Sequence, residues 1–422
     1  MPEIETLLAF LMYALAFLGV AWLAGRLELA GRLAAFFVLF YSVAPAFAFS
    51  GFQFFEYEVD YSWRASVFAC YAAVLLVFFA LLLFFVRRNG QEHGAFSSDN
   101  QRGLQLLWWL ALVAWLVDTV FNWRYFSLPK HEYILSLPEQ TKNLFLFSIP
   151  AKEMLVGAAF FNPFRSRWVR FFCIAVAVLA LLQSLVIGVR HVALLFILLL
   201  VLPRVRAFGI LILVFVFTFL GEFSNVVKLL FSFSSGIQQE IFSYAWWAGY
   251  FQEGFGVSGE QKAVLSNLLI KLDNAELFDF GRIGQDLMLG LPLAPLFSKL
   301  LGHDFVSAAV PLSDFVGTLE GQGTAYSMHL VMMESFGLAV LWIFCIFLIG
   351  RWVFGSFLFI FFGEIMYSVM RNGADYWIYQ TGKMMFLIAL VFSLEWLARV
   401  ILFNFKSGRE EGSNPMPSGA TG

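Results

Sequence analysis

The sequence predicts an all-α, polytopic integral membrane protein with about eleven transmembrane helices and one large extracytoplasmic helical loop. Three observations predict it. The chain of 422 residues is 60% hydrophobic and only 13% charged, with a mean hydropathy of +0.78. Its 53 phenylalanines and 13 tryptophans suit lipid-facing surfaces and interfacial belts. Its apolar runs recur at the length of a spanning helix, roughly 20 residues for about 30 Å of hydrocarbon.

The runs fall at about 4–24, 32–50, 64–86, 104–121, 144–161, 169–188, 190–203, 207–221, 325–350, 352–370 and 375–403. The first lacks a basic leader, so it reads as a retained helix rather than a signal peptide. Alternate loops carry Arg26 and Arg32, then Arg87, Arg88 and Arg102, then Arg165, Arg167 and Arg170, then Arg204 and Arg206. The loop at 51–63 carries Glu56, Glu58 and Asp60 instead. The basic set is therefore assigned to the cytoplasm, with the amino terminus outside. Residues 1–221 then hold helices one to eight, 222–323 the large outer loop, 324–403 helices nine to eleven, and 404–422 a disordered cytoplasmic tail. From Ser407 that tail is rich in Gly, Ser and Pro.

Several function classes drop out. A net charge of −2 with no large basic patch gives no reason to expect nucleic acid. Cys70, Cys173 and Cys345 lie in apolar runs without C-x-x-C spacing, so they read as small core residues. There is no Walker motif, no dinucleotide fingerprint and no metal-ligand spacing. No cofactor or metal is expected. No internal repeat is visible, which weakens the commonest transporter architecture.

The outer loop of about 100 residues is too polar to span and too hydrophobic to be disordered. It predicts helices at about 261–279 and 284–301, the first with an apolar stripe of Val264, Leu268 and Leu272. A loop of this length in a compact protein is usually a lid or a binding platform.

Arg190 and His191 interrupt the apolar run from Phe171 to Leu202. His191 to Pro203 provides only about 20 Å of helix. With Arg204 at the inner surface, Arg190 lies about 10 Å below the outer one. An arginine cannot shed its proton to escape burial. Arg190 reads either as the floor of a site for an anion or as a turn arginine that snorkels to the headgroups.

Other polar groups fall in the outer half. Glu364, Ser368 and Arg371 share one helix face, and Asp375, Tyr379 and Lys383 share another. Glu364 with Lys383, and Arg371 with Asp375, are possible pairs. These stripes either stitch two helices or line the same outward cavity as Arg190. Tyr326 and His329 share a face at the start of the ninth span, and Glu334 lies deeper. Lys152 and Glu153 in the fifth span and Asp118 in the fourth either neutralise one another or add to the site.

The chain resembles the bacterial O-antigen polymerases, the oligosaccharide repeat-unit polymerases and the related O-antigen ligases. Four places carry the likeness. They are Gly188-Val189-Arg190-His191 before an apolar helix, and the long loop with Arg282 opening an amphipathic helix. Next come Gly323-Thr324 through His329 to Glu334-Ser335-Phe336-Gly337, and Arg371-Asn372-Gly373. The likeness covers roughly residues 185–375.

The resemblance implies a glycosyltransferase at the periplasmic face of the bacterial inner membrane. It would join glycans carried on undecaprenyl pyrophosphate, with the polyprenyl pyrophosphate leaving and without a metal. A departing pyrophosphate in a low-dielectric site needs fixed cations. Arg190, Arg282, Arg371 and Lys383 are the expected pyrophosphate ligands, and Glu334 or His329 the expected base. His191, Tyr326, Glu364, Asp375 and Tyr379 are expected to line the cavity. The implied partners are the lipid-linked oligosaccharide, membrane lipid and a chain-length regulator. Polymerase and ligase both stay open. One rival is a polyprenyl-phosphate-sugar glycosyltransferase using Glu56, Glu58 and Asp60. The other is a polysaccharide flippase or exporter, for which polar residues are expected at all depths.

Overall fold

The computed structural model describes residues 2–27, 29–48, 63–88, 101–126, 133, 136–160, 163–164, 166–187, 190–218, 243, 259–274, 327–353, 359–371, 393, 396–397 and 400. Of Arg190 and Glu364 only the backbone is described. The described residues are helical almost throughout, with no strand among them.

The helices are α1 (Pro2–Ala24), α2 (Leu29–Ser42), α3 (Ala44–Ala48), α4 (Arg64–Arg88), α5 (Gln101–Asn122), α6 (Glu139–Phe160), α7 (Arg167–Ile187), α8 (Arg190–Val201), α9 (Ala207–Thr218), α10 (Gly259–Asp273), α11 (Met328–Glu334), α12 (Phe336–Val353) and α13 (Phe359–Arg371). Four helical stretches are long and apolar enough to cross a membrane: Glu3–Ala24, Arg64–Leu83, Gly103–Tyr125 and Arg167–Ile187. Two of the eleven expected spans are each divided among the described residues. The second expected span breaks at Val43 into α2 and α3. The ninth breaks at Ser335 into α11 and α12. The eleventh span lies almost wholly outside the described residues.

The break at Ser335 has a local cause. Its backbone is extended, at φ −151° and ψ 96°. Its Oγ accepts a hydrogen bond from the Leu338 amide at 3.4 Å, the bond an N-cap serine makes to the third residue of a new helix. A broken helix at membrane depth is tolerated where protein covers the freed backbone groups.

The core is built around α2. Residues 33–44 are buried without interruption, as expected of a helix that is apolar on every side. Helices α1, α4 and α13 pack against it, and α13 also meets α6, α8 and α12. Gly363 permits a close approach: a Cβ there would lie 2.6 Å from Leu195 and 2.7 Å from Leu33. Small residues let membrane helices come together this way. On the rim, α7 buries Cys173, Val176, Ala177, Ala180, Ser184 and Ile187 along one stripe. Its other face exposes Trp168, Phe171, Leu179, Leu182 and Val186, and α1 exposes Leu7, Leu8, Leu11 and Leu15. Apolar faces turned outward on this scale suit contact with lipid. All three cysteines are free thiols.

The basic ends meet at one end of the bundle. The Arg32 guanidinium donates to the carbonyls of Leu27 at 2.8 Å, Leu202 at 2.8 Å and Val205 at 2.9 Å. It thereby ties the start of α2 to the turn between α8 and α9. A Cβ on Gly25 would sit 2.6 Å from the Ala207 backbone nitrogen, so α1 ends against the start of α9.

Candidate functional site

The opposite end of α2 is the polar one. Its last two residues, Tyr41 and Ser42, face two clusters of buried functional groups.

The first cluster surrounds His329. The imidazole is fully buried and stacks on Tyr71, with centroids 4.0 Å apart. Its Nε2 lies 3.4 Å from the Ser42 hydroxyl, and the Cys70 thiol donates to the His329 carbonyl at 3.1 Å. Tyr13 donates to the Ser42 carbonyl at 2.7 Å, which fixes that end of α2. Three buried polar atoms here have no hydrogen-bond partner among the described residues: His329 Nδ1, the Tyr71 hydroxyl and Ser327 Oγ. Each such group costs about 1–3 kcal/mol when left unsatisfied.

Glu334 closes the same short helix. It lies 2.9 Å from Lys271 Nζ, and both side chains are nearly buried. Lys271 comes from α10, the one described helix of the large loop. That helix was expected to be amphipathic, with a stripe at Val264, Leu268 and Leu272. Val264 and Leu268 are buried and Leu272 is half-buried, but Leu265, Leu269 and Ile270 are buried as well. So α10 is inserted among α2, α3, α11 and α13 rather than laid on the surface. Its polar residues hold both ends: Gln261 donates to the Phe40 carbonyl and to Thr218. At the far end Asp273 accepts from Trp63 at 2.6 Å.

The second cluster lies where α6, α8 and α13 meet. His191 Nε2 is 3.1 Å from Glu153 Oε1, and Glu153 is fully buried. The His191 ring stacks on Tyr367 at 5.3 Å. Arg371 Nη1 donates to the Tyr367 hydroxyl at 2.8 Å. Tyr367 also touches Tyr41 at 6.1 Å, and Ser42, the next residue, faces His329. The two clusters thus share the end of α2.

One step away, Lys152 and Asp118 lie 3.5 Å apart with both side chains fully buried, and Asn122 donates to Asp118 at 2.7 Å. The expected neutralisation is therefore divided. Lys152 pairs with Asp118, while its neighbour Glu153 turns to His191.

The structure brings His191, His329, Glu334 and Arg371 to one end of the bundle and starts α8 at Arg190. Arg282, Tyr326, Asp375, Tyr379 and Lys383 lie outside the described residues, as do Glu56, Glu58 and Asp60. Among the described residues, no three His, Cys, Asp or Glu side chains are grouped to hold a metal. Sequence reasoning missed Lys271, Tyr71 and Tyr367. Tyr367 had a signal, since it sits one turn before Arg371 and beside the Glu364 stripe.

No protein family, curated protein or solved structure matches this chain.

Proposed function

We propose that the chain is a membrane glycosyltransferase that polymerises oligosaccharide repeat units carried on undecaprenyl pyrophosphate. It would work at the periplasmic face of the bacterial inner membrane, as an O-antigen or exopolysaccharide polymerase. The observation that carries this reading is the gathering of buried His329 and Glu153 with half-buried His191, Glu334 and Arg371 at the end of α2 opposite Arg32 and the basic turns. That is where an outward-facing site for a lipid-linked anion belongs under the positive-inside rule.

The roles follow from the chemistry. The sugar C1–O bond to the pyrophosphate breaks, and its electron pair leaves on a phosphate oxygen. Arg190, Arg282 and Arg371, with Lys383, stabilise that charge electrostatically. The acceptor hydroxyl forms the new bond to C1 and gives up its proton. Between the two expected bases, His329 is the better placed. Glu334 is held by Lys271, whereas His329 keeps a ring nitrogen without a partner among the described residues. In the tautomer whose Nε2–H donates to Ser42, Nδ1 is the acceptor. A ligase acting on a lipid-linked acceptor uses the same groups.

Two observations favour a second reading, a polysaccharide flippase. The buried pairs Asp118–Lys152 and Glu153–His191 and the breaks at Val43 and Ser335 are features that also line transport paths.

The deciding experiment is a membrane reaction with a synthetic undecaprenyl-pyrophosphate oligosaccharide, resolved on a gel for wild type and Arg190→Ala. A ladder of lengthened glycans that disappears in the variant supports the polymerase. No ladder, with lipid-linked glycan accumulating on the inner leaflet of cells lacking the protein, overturns it in favour of transport.

A further inference from the structure

Tyr367 is among the most tightly held side chains near the site. It is almost fully buried. Phe37 meets its ring edge-on at 5.9 Å and Tyr41 lies against it at 6.1 Å, both from α2. His191 stacks on it at 5.3 Å from α8. Glu153 on α6 holds that imidazole at 3.1 Å. Four helices therefore fix the position of one phenolic oxygen.

That oxygen accepts a hydrogen bond from Arg371, four residues on, and the guanidinium carbon lies 5.5 Å from the Tyr367 ring centroid. Arginine has five N–H donors in a planar fork that matches phosphate oxygens. It also has about 2 kcal/mol of rotamer entropy to lose when it binds. A bond to an immobile hydroxyl settles the direction of the fork before a ligand arrives. The position suits the task, because Arg371 is the last residue of α13 and a cation is favoured at a helix C-terminus.

We propose that Glu153, His191 and Tyr367 are positioning residues that aim Arg371 at a pyrophosphate carried on a lipid. This rests on the polymerase reading, and it adds that the anion site is ordered from α6 through three side chains. Glu153 and His191 hold the plane of the Tyr367 ring. Tyr367 holds the guanidinium, and Arg371 touches the ligand.

The test is binding of farnesyl pyrophosphate to the detergent-purified full chain, with farnesol as the uncharged control. Tyr367→Phe keeps the ring and its stacking and removes only the hydroxyl. Its farnesyl pyrophosphate affinity is expected to fall about fivefold, the size of one lost hydrogen bond, with farnesol binding unchanged. Arg371→Ala should lose more. Glu153→Gln should weaken binding less than Arg371→Ala. A merely structural role for Tyr367 would lower the melting temperature and leave the ratio of the two affinities where it was. Wild-type affinity in Tyr367→Phe overturns the relay and leaves the polymerase reading standing. Binding indifferent to Arg371→Ala likewise overturns the relay alone, whereas no farnesyl pyrophosphate binding by wild type overturns both.

Discussion

Lys271 and Glu334 lie 2.9 Å apart and nearly out of solvent, one on a helix of the long loop and the other at the end of the short helix that stops at Ser335. The pair bolts α10 into the bundle at the point where α11 stops. Removing one partner of a buried ion pair leaves the other charge uncompensated, at a cost of about 3–5 kcal/mol. Lys271→Met is therefore expected to lower the melting temperature of the detergent-purified protein sharply. The double variant Lys271→Met with Glu334→Leu should recover much of the loss. Equal damage from the single and the double variant would mean that Lys271→Met leaves no costly unpaired charge on Glu334.

The same logic applies more strictly to Asp118 and Lys152, both fully buried. Lys152→Met alone should destabilise by about 3 kcal/mol, and Asp118→Asn with Lys152→Met by clearly less. A thermodynamic cycle of the four proteins measures the coupling. Additive losses would show that the two side chains do not interact.

Arg32 crosses from α2 to the turn after α8 and donates to three carbonyls within 2.9 Å. Arg32→Ala should cost about 2–3 kcal/mol, since bonds from a charged donor are the strong kind. Arg32→Lys should recover only part, because an ammonium cannot reproduce the fork. Full recovery by lysine in a melting experiment would reduce the residue to a point charge.

Two glycines separate backbone from side-chain crowding. A Cβ at Gly363 meets the ends of Leu195 and Leu33, whereas a Cβ at Gly25 meets the backbone of Ala207. Leucine methyls can shift and a backbone cannot without moving its helix. Gly25→Ala is expected to lower the melting temperature more than Gly363→Ala. The reverse order would mean that the α1–α9 contact is looser than its geometry.

The sequence by itself determined the class of protein and most of its helices. Apolar length and composition are enough for that, because bilayer thickness sets helix length and each helix closes its own hydrogen bonds. The short helix opened by Arg190 was legible from the 13-residue spacing to Pro203, and the structure begins α8 at Arg190. The polar character of residues 118, 152, 153, 190, 191, 329, 334 and 371 was legible too, because charge stands out against an apolar background. Their partners were not. Adjacent Lys152 and Glu153 diverge to α5 and α8 because successive helical residues point about 100° apart, and only the placement of neighbouring helices decides what each one meets. The break at Ser335 was hidden as well: a capping serine becomes visible only when its oxygen is found on the Leu338 amide. The burial of α10 likewise depends on α2, α3, α11 and α13 surrounding it. Sequence periodicity records which face of a helix is apolar, whereas tertiary packing decides how many faces are covered.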